Sequence, residues 1–175
     1  MLVLDSSVIL AWVLDDEQPL GPELLRRLST TEVAAVPVHW ILEVTNGLRM
    51  AVRRRRLAPG DPRRILDRIS NQPIQVDTET VVRAWRETPI LADDHGLTTY
   101  DAAYLDLAMR RGLPLATRDK GLLQAARRAG VAVIVSGKKR LHSSNGKLLA
   151  TARLRRSYAA ATTRNSSWLP VGSSG

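Results

Sequence analysis

The sequence predicts an α/β protein, a three-layer α/β/α fold with a mainly parallel central sheet. Short apolar runs alternate along the chain with longer segments whose apolar residues recur at helical spacing. The apolar runs are continuous, which is typical of strands that are buried on both faces of a parallel sheet. Regular alternation of strand and helix favours parallel strands joined by crossover helices.

The first half of the chain begins with an apolar run that ends at Asp5, and Ser6 or Ser7 is expected to cap the helix that follows. Leucines at helical spacing predict a second helix, and a proline marks the start of a third. The predicted elements are a strand over residues 1–4, a helix to about residue 14, a helix over 19–28, a strand over 33–36 and a helix from Pro37 to the arginines 53–56. One face of that last helix carries the apolar residues Trp40, Ile41, Val44, Leu48 and Val52.

The second half of the chain continues the alternation. Gly112 and Gly130 each follow a helical pattern, and glycine commonly ends helices at that position. The predicted elements are a loop over residues 59–62, a helix from there through Ile69, a strand over 74–76, a helix over 78–86, a polar loop over 91–98, a helix over 99–111, a strand over 113–117, a helix over 120–129 and a strand over 131–135.

Charge divides the chain into a domain over residues 1–136 and a basic tail over residues 137–175. The first part has 18 Lys and Arg against 17 Asp and Glu, whereas the tail has eight basic residues and no acidic residue. The high pI therefore comes mainly from the tail and is weak evidence for nucleic-acid binding. The tail is predicted to be flexible, with a short basic helix around residues 148–158. Two origins stay open for it, the natural chain or residues added for expression.

Composition excludes several classes of chemistry. The chain has no Cys, so it has no disulfide, thiol nucleophile or thiolate-bound zinc, which fits a reducing cytoplasm. No apolar run approaches the roughly 20 residues that span a bilayer, and Asp5 interrupts the first apolar stretch where a secretory signal would continue. A glycine-rich phosphate loop and a serine nucleophile motif are also lacking, and the three His residues are scattered. We expect a cytoplasmic protein.

Four acidic residues are the main candidates for a functional site: Asp5, Glu43, Asp101 and Asp119. Each lies near the end of a predicted strand or on the helix that follows one, and these points gather at the carboxyl edge of a doubly wound sheet. Four ionised carboxylates in one pocket repel each other unless a cation joins them. The arrangement therefore predicts a divalent metal, and carboxylate oxygens suit Mg²⁺ or Mn²⁺. Phosphodiester hydrolysis is one reaction that such a metal assists.

Each acid also has a simpler interpretation. Asp5 and Asp119 can cap the helices that follow them, and Asp101 can favour a helix N-terminus through its charge. Glu43 is harder to explain in this way, because its neighbours are apolar and an unpaired buried carboxylate is costly. The coincidence of all four at one sheet edge favours a site.

Several polar residues near these acids are candidate supports. Ser7 and Thr117 are expected to hold carboxylates by hydrogen bonds. Asn46 lies three residues after Glu43 on the same side of a helix. It is interpreted either as a residue that holds Glu43 or contacts substrate, or as an ordinary exposed polar residue. The arginines 53–56 either bind RNA phosphates or form a basic helix C-terminus, which is the simpler interpretation.

Other charged residues are expected to lie outside the site. The favoured interpretation of Asp93, Asp94 and His95 is a solvated loop cluster rather than a set of ligands. Asp106 is interpreted as an ordinary polar helix position.

Four segments carry a resemblance to a known family: Leu4-Asp5-Ser6-Ser7, Glu43-Val44-Thr45-Asn46, Thr99-Tyr100-Asp101-Ala102-Ala103-Tyr104-Leu105 and Ala116-Thr117-Arg118-Asp119-Lys120. In order, spacing and local sequence, residues 1–136 resemble the PIN domain, specifically the VapC-type toxins of bacterial toxin–antitoxin pairs. The resemblance implies a PIN-like fold and a Mg²⁺- or Mn²⁺-dependent endoribonuclease that arrests translation. It also implies that the four acids Asp5, Glu43, Asp101 and Asp119 form the active site.

The same resemblance implies partners. It implies a homodimer and a cognate VapB-type antitoxin, a segment of which lies across the active site. It further implies promoter DNA binding only through the antitoxin complex, in which the antitoxin reads the DNA. The tail departs from the family pattern, since toxins of this type usually end near the last strand.

Two other interpretations stay open from the sequence. The first is a binding module that has kept the fold but lost the chemistry, although all four acids are present. The second is a metal-dependent phosphatase or DNA nuclease that uses the same acidic edge.

Overall fold

The structure is a computed structural model that describes residues 1–14, 24, 26–27 and 32–135. Its strands are β1 (Leu2–Leu4), β2 (Ala34–Pro37), β3 (Ile74–Asp77), β4 (Leu115–Thr117) and β5 (Val133–Val135). The helices with complete bounds in this part of the chain are α1 (Ser6–Val13), α2 (Trp40–Arg53), α3 (Asp61–Ser70), α4 (Thr80–Arg83), α5 (Glu87–His95), α6 (Thr99–Arg111) and α7 (Lys120–Arg128).

The five strands form one parallel sheet in the order β3-β2-β1-β4-β5. The second and third strands therefore lie on one side of β1, and the fourth and fifth strands lie on its other side. The point at which the direction reverses lies between β1 and β4, which are hydrogen-bonded neighbours. In open α/β sheets, ligands bind in the crevice at the carboxyl ends of such strands. The predicted three-layer α/β/α class with a parallel sheet is confirmed.

The core is built from the central strands and the faces of the helices that cover them. Val3, Ala35 and Leu115 on neighbouring strands are fully buried, as expected for strands covered on both faces. Helix α6 packs against β1, β2 and β4, and it brings the fully buried Tyr104 into the core. Helix α6 is thereby held over the sheet by hydrophobic contacts along most of its length.

Most predicted elements agree with the structure to within about three residues at each end. The predicted helix over residues 99–111 matches α6 at both ends, and Gly112 follows it with a φ of +61°. The predicted helix over residues 19–28 lies outside the described residues, except that Leu24, Arg26 and Arg27 are helical. The basic tail and its predicted helix also lie outside the described residues.

One predicted loop is wrong, because most of residues 91–98 belongs to helix α5. Thr88 and Ala92 lie one turn apart on α5 and are buried, whereas the apolar Ile90 is 62% exposed. The helix ends at Gly96, which has a φ of +65°. The sequence pattern was misleading because the buried face of α5 is made of small and polar residues rather than large apolar ones.

Two predicted helix starts also differ from the structure. Asp5, rather than Ser6 or Ser7, is the N-cap of α1, and its side chain accepts a hydrogen bond from the backbone N–H of Ser7. Pro37 does not begin α2, because it is still in register with Asp77 in the β2–β3 pair. A turn then precedes α2.

The buried face of α2 is slightly rotated from the predicted one. Its buried residues are Trp40, Val44, Leu48 and Ala51, whose spacing follows the helical repeat. Ile41 is 44% exposed, since one residue is a rotation of about 100° around the helix. This rotation directs Glu43 toward a half-buried position beside α6.

No helix of the described residues is both long enough and apolar enough to cross a membrane.

Candidate active site

Asp5 lies at the centre of the candidate site, directly after β1 at the reversal point of the sheet. Its backbone N–H donates to the carbonyl of Ala116 on β4 over 3.0 Å, which continues the β1–β4 pairing. The residue is 5% exposed. A buried carboxylate needs several donors to replace water. The side chains of Ser7 and Thr117 both donate to Oδ2 of Asp5, the latter over 2.6 Å.

Thr117 joins the two acids that follow β1 and β4. Its hydroxyl donates to Asp5, and the same oxygen accepts a hydrogen bond of 3.0 Å from the backbone N–H of Asp119. Ser7 has a parallel role, since its oxygen accepts from the backbone N–H of Arg118 over 3.1 Å. Two hydroxyl groups thus connect the end of β1 to the end of β4, with Thr117 only 1% exposed.

Asp119 is the N-cap of α7, as the simpler interpretation of the sequence proposes. Its Oδ1 accepts a hydrogen bond of 2.8 Å from the backbone N–H of Leu122. A Cβ atom added at Gly121 would lie 3.2 Å from that oxygen, so the glycine leaves space beside the carboxylate. The capping role and a site role are compatible, because the cap uses one carboxylate oxygen of the exposed Asp119 side chain.

Asp101 lies in the first turn of α6 and is half-buried beside the other acids. It forms a reciprocal cap with Thr98, whose hydroxyl donates to Asp101 Oδ2 over 2.6 Å and accepts from the Asp101 backbone N–H over 3.1 Å. Burial raises the pKa of Asp101, and the negative charges of Asp119 and Asp5 raise it further, against the opposing effect of the Thr98 hydrogen bond. The three aspartates therefore share one electrostatic environment.

Glu43 reaches the site from α2, where it is held by a tyrosine of α6. The hydroxyl of Tyr104 donates a hydrogen bond to Oε2 of Glu43. Tyr104 is fully buried, and burial raises the pKa of its hydroxyl, with further contributions from the charges of Asp5 and Glu43. The tyrosine consequently keeps its proton and is a hydrogen-bond donor to Glu43 rather than a base.

His39 connects the two helices that carry Glu43 and Asp101. Its ring meets those of Tyr100 and Tyr104 edge-on, with centroids 5.3 Å and 5.4 Å apart. Burial lowers the pKa of His39, while the negative charges of Glu43, Asp101 and Asp5 oppose that effect.

The sequence interpretation missed the roles of His39 and Tyr104. The available signal was spacing, since His39 lies four residues before Glu43 and Tyr104 lies three after Asp101.

The structure separates other candidates from this group. Asn46 is exposed, and its side chain makes no hydrogen bond to the described residues. Asp93 and Asp94 are exposed, in agreement with solvated acids, although they lie on α5 rather than on a loop.

The interpretation of Asp106 as an ordinary polar position is wrong. Asp106 is 7% exposed and accepts two hydrogen bonds of 2.7 Å from Arg83. This partner lies 23 residues earlier in the sequence, so no local pattern revealed it.

The acids suit a divalent cation in chemistry, although they do not form a closed ligand cage. Among the described residues, no group of three or more His, Asp or Glu side chains is close enough to hold a metal ion. The donor set is nevertheless made of carboxylates, which suit Mg²⁺ or Mn²⁺. Burial is the main cause of the raised pKa of Asp101, and the negative charges of Asp119 and Asp5 add a smaller repulsion that a cation would relieve.

A cleft of about 340 Å³ lies between α1 and α2 and begins beside the acids. Ser7 lines the cleft and also hydrogen-bonds Asp5. Apolar side chains that include Leu10 and Met50 line the cleft together with three arginines, Arg54, Arg56 and Arg118. We call this feature the arginine cleft. Its lining among the described residues contains no acidic side chain.

Comparison with known proteins identifies a family. The PIN domain family model matches residues 2–128. The fold is similar to that of PAE2754 from Pyrobaculum aerophilum, with 22% identity, a TM-score of 0.56, and coverage of 88% of this chain and 94% of that one. It is also similar to FitAcB from Neisseria gonorrhoeae, with 22% identity, a TM-score of 0.52, and coverage of 77% and 96%, respectively. No curated protein sequence matches the chain.

Proposed function

Because the chain belongs to the PIN domain family, whose members are generally metal-dependent nucleases, we propose that it is an endoribonuclease. Its cofactor is Mg²⁺ or Mn²⁺, and its catalytic and metal-binding residues are Asp5, Glu43, Asp101 and Asp119. One observation carries the proposal: Asp5 and Asp119 follow neighbouring strands at the reversal point of the sheet and are joined there by Thr117.

The residues have distinct tasks in this proposal. When bound, a divalent ion supplies positive charge to the phosphodiester and lowers the pKa of a water molecule. Asp5 is the buried anchor, since Ser7 and Thr117 hold its carboxylate in place. Asp101 and Asp119 lie nearer to solvent, where they orient the attacking water against the phosphorus.

The arginine cleft supports RNA as the substrate. Its arginines offer planar groups that bind phosphate oxygens in pairs, and its apolar wall accommodates the faces of unpaired bases. A strand that follows the cleft reaches Ser7 and the carboxylates beside it, so a phosphodiester bond can be presented to the acids. The acidic site alone would repel a polyanion, which makes a neighbouring cationic surface necessary.

We further propose that the protein is the toxin of a toxin–antitoxin pair. The four sequence segments that resemble VapC-type toxins support this proposal, and they include all four acids. Its partners are then a cognate VapB-type antitoxin and a second copy of the chain, with promoter DNA bound only through the antitoxin complex. Exposed apolar side chains on and near α4 and α5 support a protein contact, since Val82, Trp85 and Ile90 are 71%, 84% and 62% exposed.

The organisation of the chain follows from the same proposal. The nuclease domain occupies residues 1–136, and residues 137–175 are a basic tail that is not required for chemistry. The protein acts in the cytoplasm, where its RNA substrate and its antitoxin are made.

The direct test incubates the purified chain with end-labelled single-stranded RNA, DNA of the same sequence and a phosphate monoester. Each substrate is tested with Mg²⁺, with Mn²⁺ and with EDTA, and the variants are Asp5→Asn and, as a matched control, the exposed Asp93→Asn. We expect RNA cleavage that requires metal, is lost in Asp5→Asn and is retained in Asp93→Asn. Preferential cleavage of DNA or the monoester would identify another hydrolase, and a folded wild type without cleavage on a broad RNA pool would favour a binding module.

A further inference from the structure

We propose that Tyr104 is a positioning residue that holds the Glu43 carboxylate in its metal-binding orientation. This inference rests on the proposed function, because it assigns a role toward a metal that the four acids bind. It adds a specific side chain on α6 to the site, one that lies in the hydrophobic core rather than at the surface.

The first argument is that every acid of the site has its own hydrogen-bond donor. Asp5 is held by Ser7 and Thr117, Asp101 by Thr98, and Asp119 by the backbone N–H of Leu122. For Glu43 this donor is Tyr104, and no other described residue donates a hydrogen bond to the Glu43 carboxylate.

The second argument concerns the freedom of the Glu43 side chain. A glutamate has one more rotatable bond than an aspartate, so its carboxylate loses more entropy when it is fixed. The two preceding residues, Ile41 and Leu42, are 44% and 70% exposed and are apolar, so they provide no polar contact that fixes Glu43. A single hydrogen bond to Oε2 from a rigid donor removes much of this freedom and leaves Oε1 for a cation.

The third argument is that Tyr104 is itself rigid. Its side chain is fully buried within the hydrophobic core, and its ring meets that of His39 edge-on, with centroids 5.4 Å apart. A donor held in this way is preorganised, and such contacts around metal ligands typically change metal affinity or activity by about 10- to 100-fold.

If Tyr104 only packs in the core, loss of its hydroxyl should leave metal binding unchanged. A single-atom change therefore separates a packing role from a positioning role. Tyr104→Phe removes the hydroxyl oxygen and keeps the ring. The matched control is Tyr100→Phe, because Tyr100 also contacts His39 but is 60% exposed and has no hydrogen bond to a carboxylate of the site. Thermal unfolding of both variants reports any loss of folding.

The experiment measures Mn²⁺ binding by calorimetry and RNA cleavage for wild type, Tyr104→Phe, Tyr100→Phe, Glu43→Gln and the double variant Tyr104→Phe/Glu43→Gln. We expect Tyr104→Phe to weaken Mn²⁺ binding by about tenfold or more, with cleavage partly restored at high Mn²⁺, and Tyr100→Phe to behave as wild type. In the Glu43→Gln background the second substitution should have little further effect, because both act through one carboxylate.

The outcomes distinguish the inference from the proposed function. Unchanged Mn²⁺ binding in Tyr104→Phe, an equal loss in the Glu43→Gln background, or no Mn²⁺ binding by the wild type would overturn the inference. Metal-dependent RNA cleavage that persists unaltered in Tyr104→Phe would reject the role of Tyr104 and leave the nuclease proposal intact. Weaker Mn²⁺ binding in Tyr104→Phe together with no RNA cleavage by the wild type would support the role of Tyr104 and reject RNA as the substrate.

Discussion

The hydroxyl of Thr117 donates a hydrogen bond of 2.6 Å to Oδ2 of Asp5, although the two residues are 112 positions apart in the sequence. Both lie where neighbouring parallel strands end, and the register Leu4↔Ala116 places the following residues side by side. A buried carboxylate at this place is stable only because such donors face it. The sheet topology therefore creates both the position of the acid and its stabilisation.

Replacement of Thr117 by valine should weaken both folding and catalysis. Valine keeps the shape but leaves Asp5 without one donor, and a lost hydrogen bond to a buried charged group costs about 1.5–3 kcal/mol. We expect the free energy of unfolding to fall by about that amount and RNA cleavage to fall by at least about tenfold. Thr117→Ser keeps the hydroxyl and is the control. Urea denaturation and initial cleavage rates measure the two effects, and equal behaviour of both variants would contradict the assignment.

The location of the acids could be predicted from the sequence because it follows from local signals. Asp5 comes directly after an apolar run and Asp119 follows another with only Arg118 between, and parallel strands bring their carboxyl ends to one edge. Ser7 and Thr117 were within reach of prediction for the same reason, since each is two residues from an acid in the sequence.

The contacts between distant segments could not be predicted in this way. Tyr104 and Glu43 are 61 residues apart, and Arg83 and Asp106 are 23 apart. A tyrosine that points to a carboxylate and one that only packs in the core have the same sequence pattern, because both lie on the buried face of an amphipathic helix. The distinction depends on how α2 rotates against α6, which is decided by packing.

A network of ion pairs that includes Asp106 and Arg110 of α6 predicts that folding depends on pH. Arg110 contacts Oδ2 of Asp77 at 2.7 Å and Glu79 at 3.1 Å, next to the pair of Arg83 and Asp106. Burial alone would raise the pKa of Asp77, but the hydrogen bonds from Arg110 and Thr80 outweigh this effect, so the pKa is lowered.

The lowered pKa of Asp77 determines the direction in which folding stability changes with pH. A carboxyl group whose pKa is lower in the folded state stabilises that state fully above its ordinary pKa of 3.8, and this stabilisation is lost as the pH falls through the folded-state value. We expect Asp77→Asn to be less stable than wild type at pH 7, with a difference that shrinks below about pH 4. Chemical denaturation of both proteins from pH 7 to pH 3 measures the difference, and Asp93→Asn is the exposed control. A difference that is constant with pH would show that Asp77 is not ionised in the pair.

Removal of the basic tail tests whether catalysis depends on the domain alone, because the charge of the tail and the acidic site lie in separate parts of the sequence. Residues 137–175 contribute eight basic and no acidic side chains, whereas all four candidate acids lie in the domain. We expect a chain that ends at residue 136 to keep its rate constant for RNA cleavage within about twofold under saturating substrate. If the tail attracts RNA nonspecifically, KM alone should rise, and it should do so most at low salt. A large loss of the rate constant in a folded truncated protein would show that the tail contributes to the chemistry.

The arginine cleft predicts that neighbouring arginines of one basic run have different effects on RNA binding. Arg54 lines the cleft, whereas Arg53, which is also exposed, does not belong to the described lining. We therefore expect Arg54→Gln to raise the dissociation constant for RNA and to reduce the slope of log affinity against log salt by about one, as for the loss of one phosphate contact. Arg53→Gln should have a smaller effect on both quantities. Fluorescence anisotropy with a labelled RNA and the inactive Asp5→Asn background measures binding without cleavage. If both arginine variants reduce the salt slope equally, the run acts as a diffuse positive surface and the cleft does not define the path of the strand.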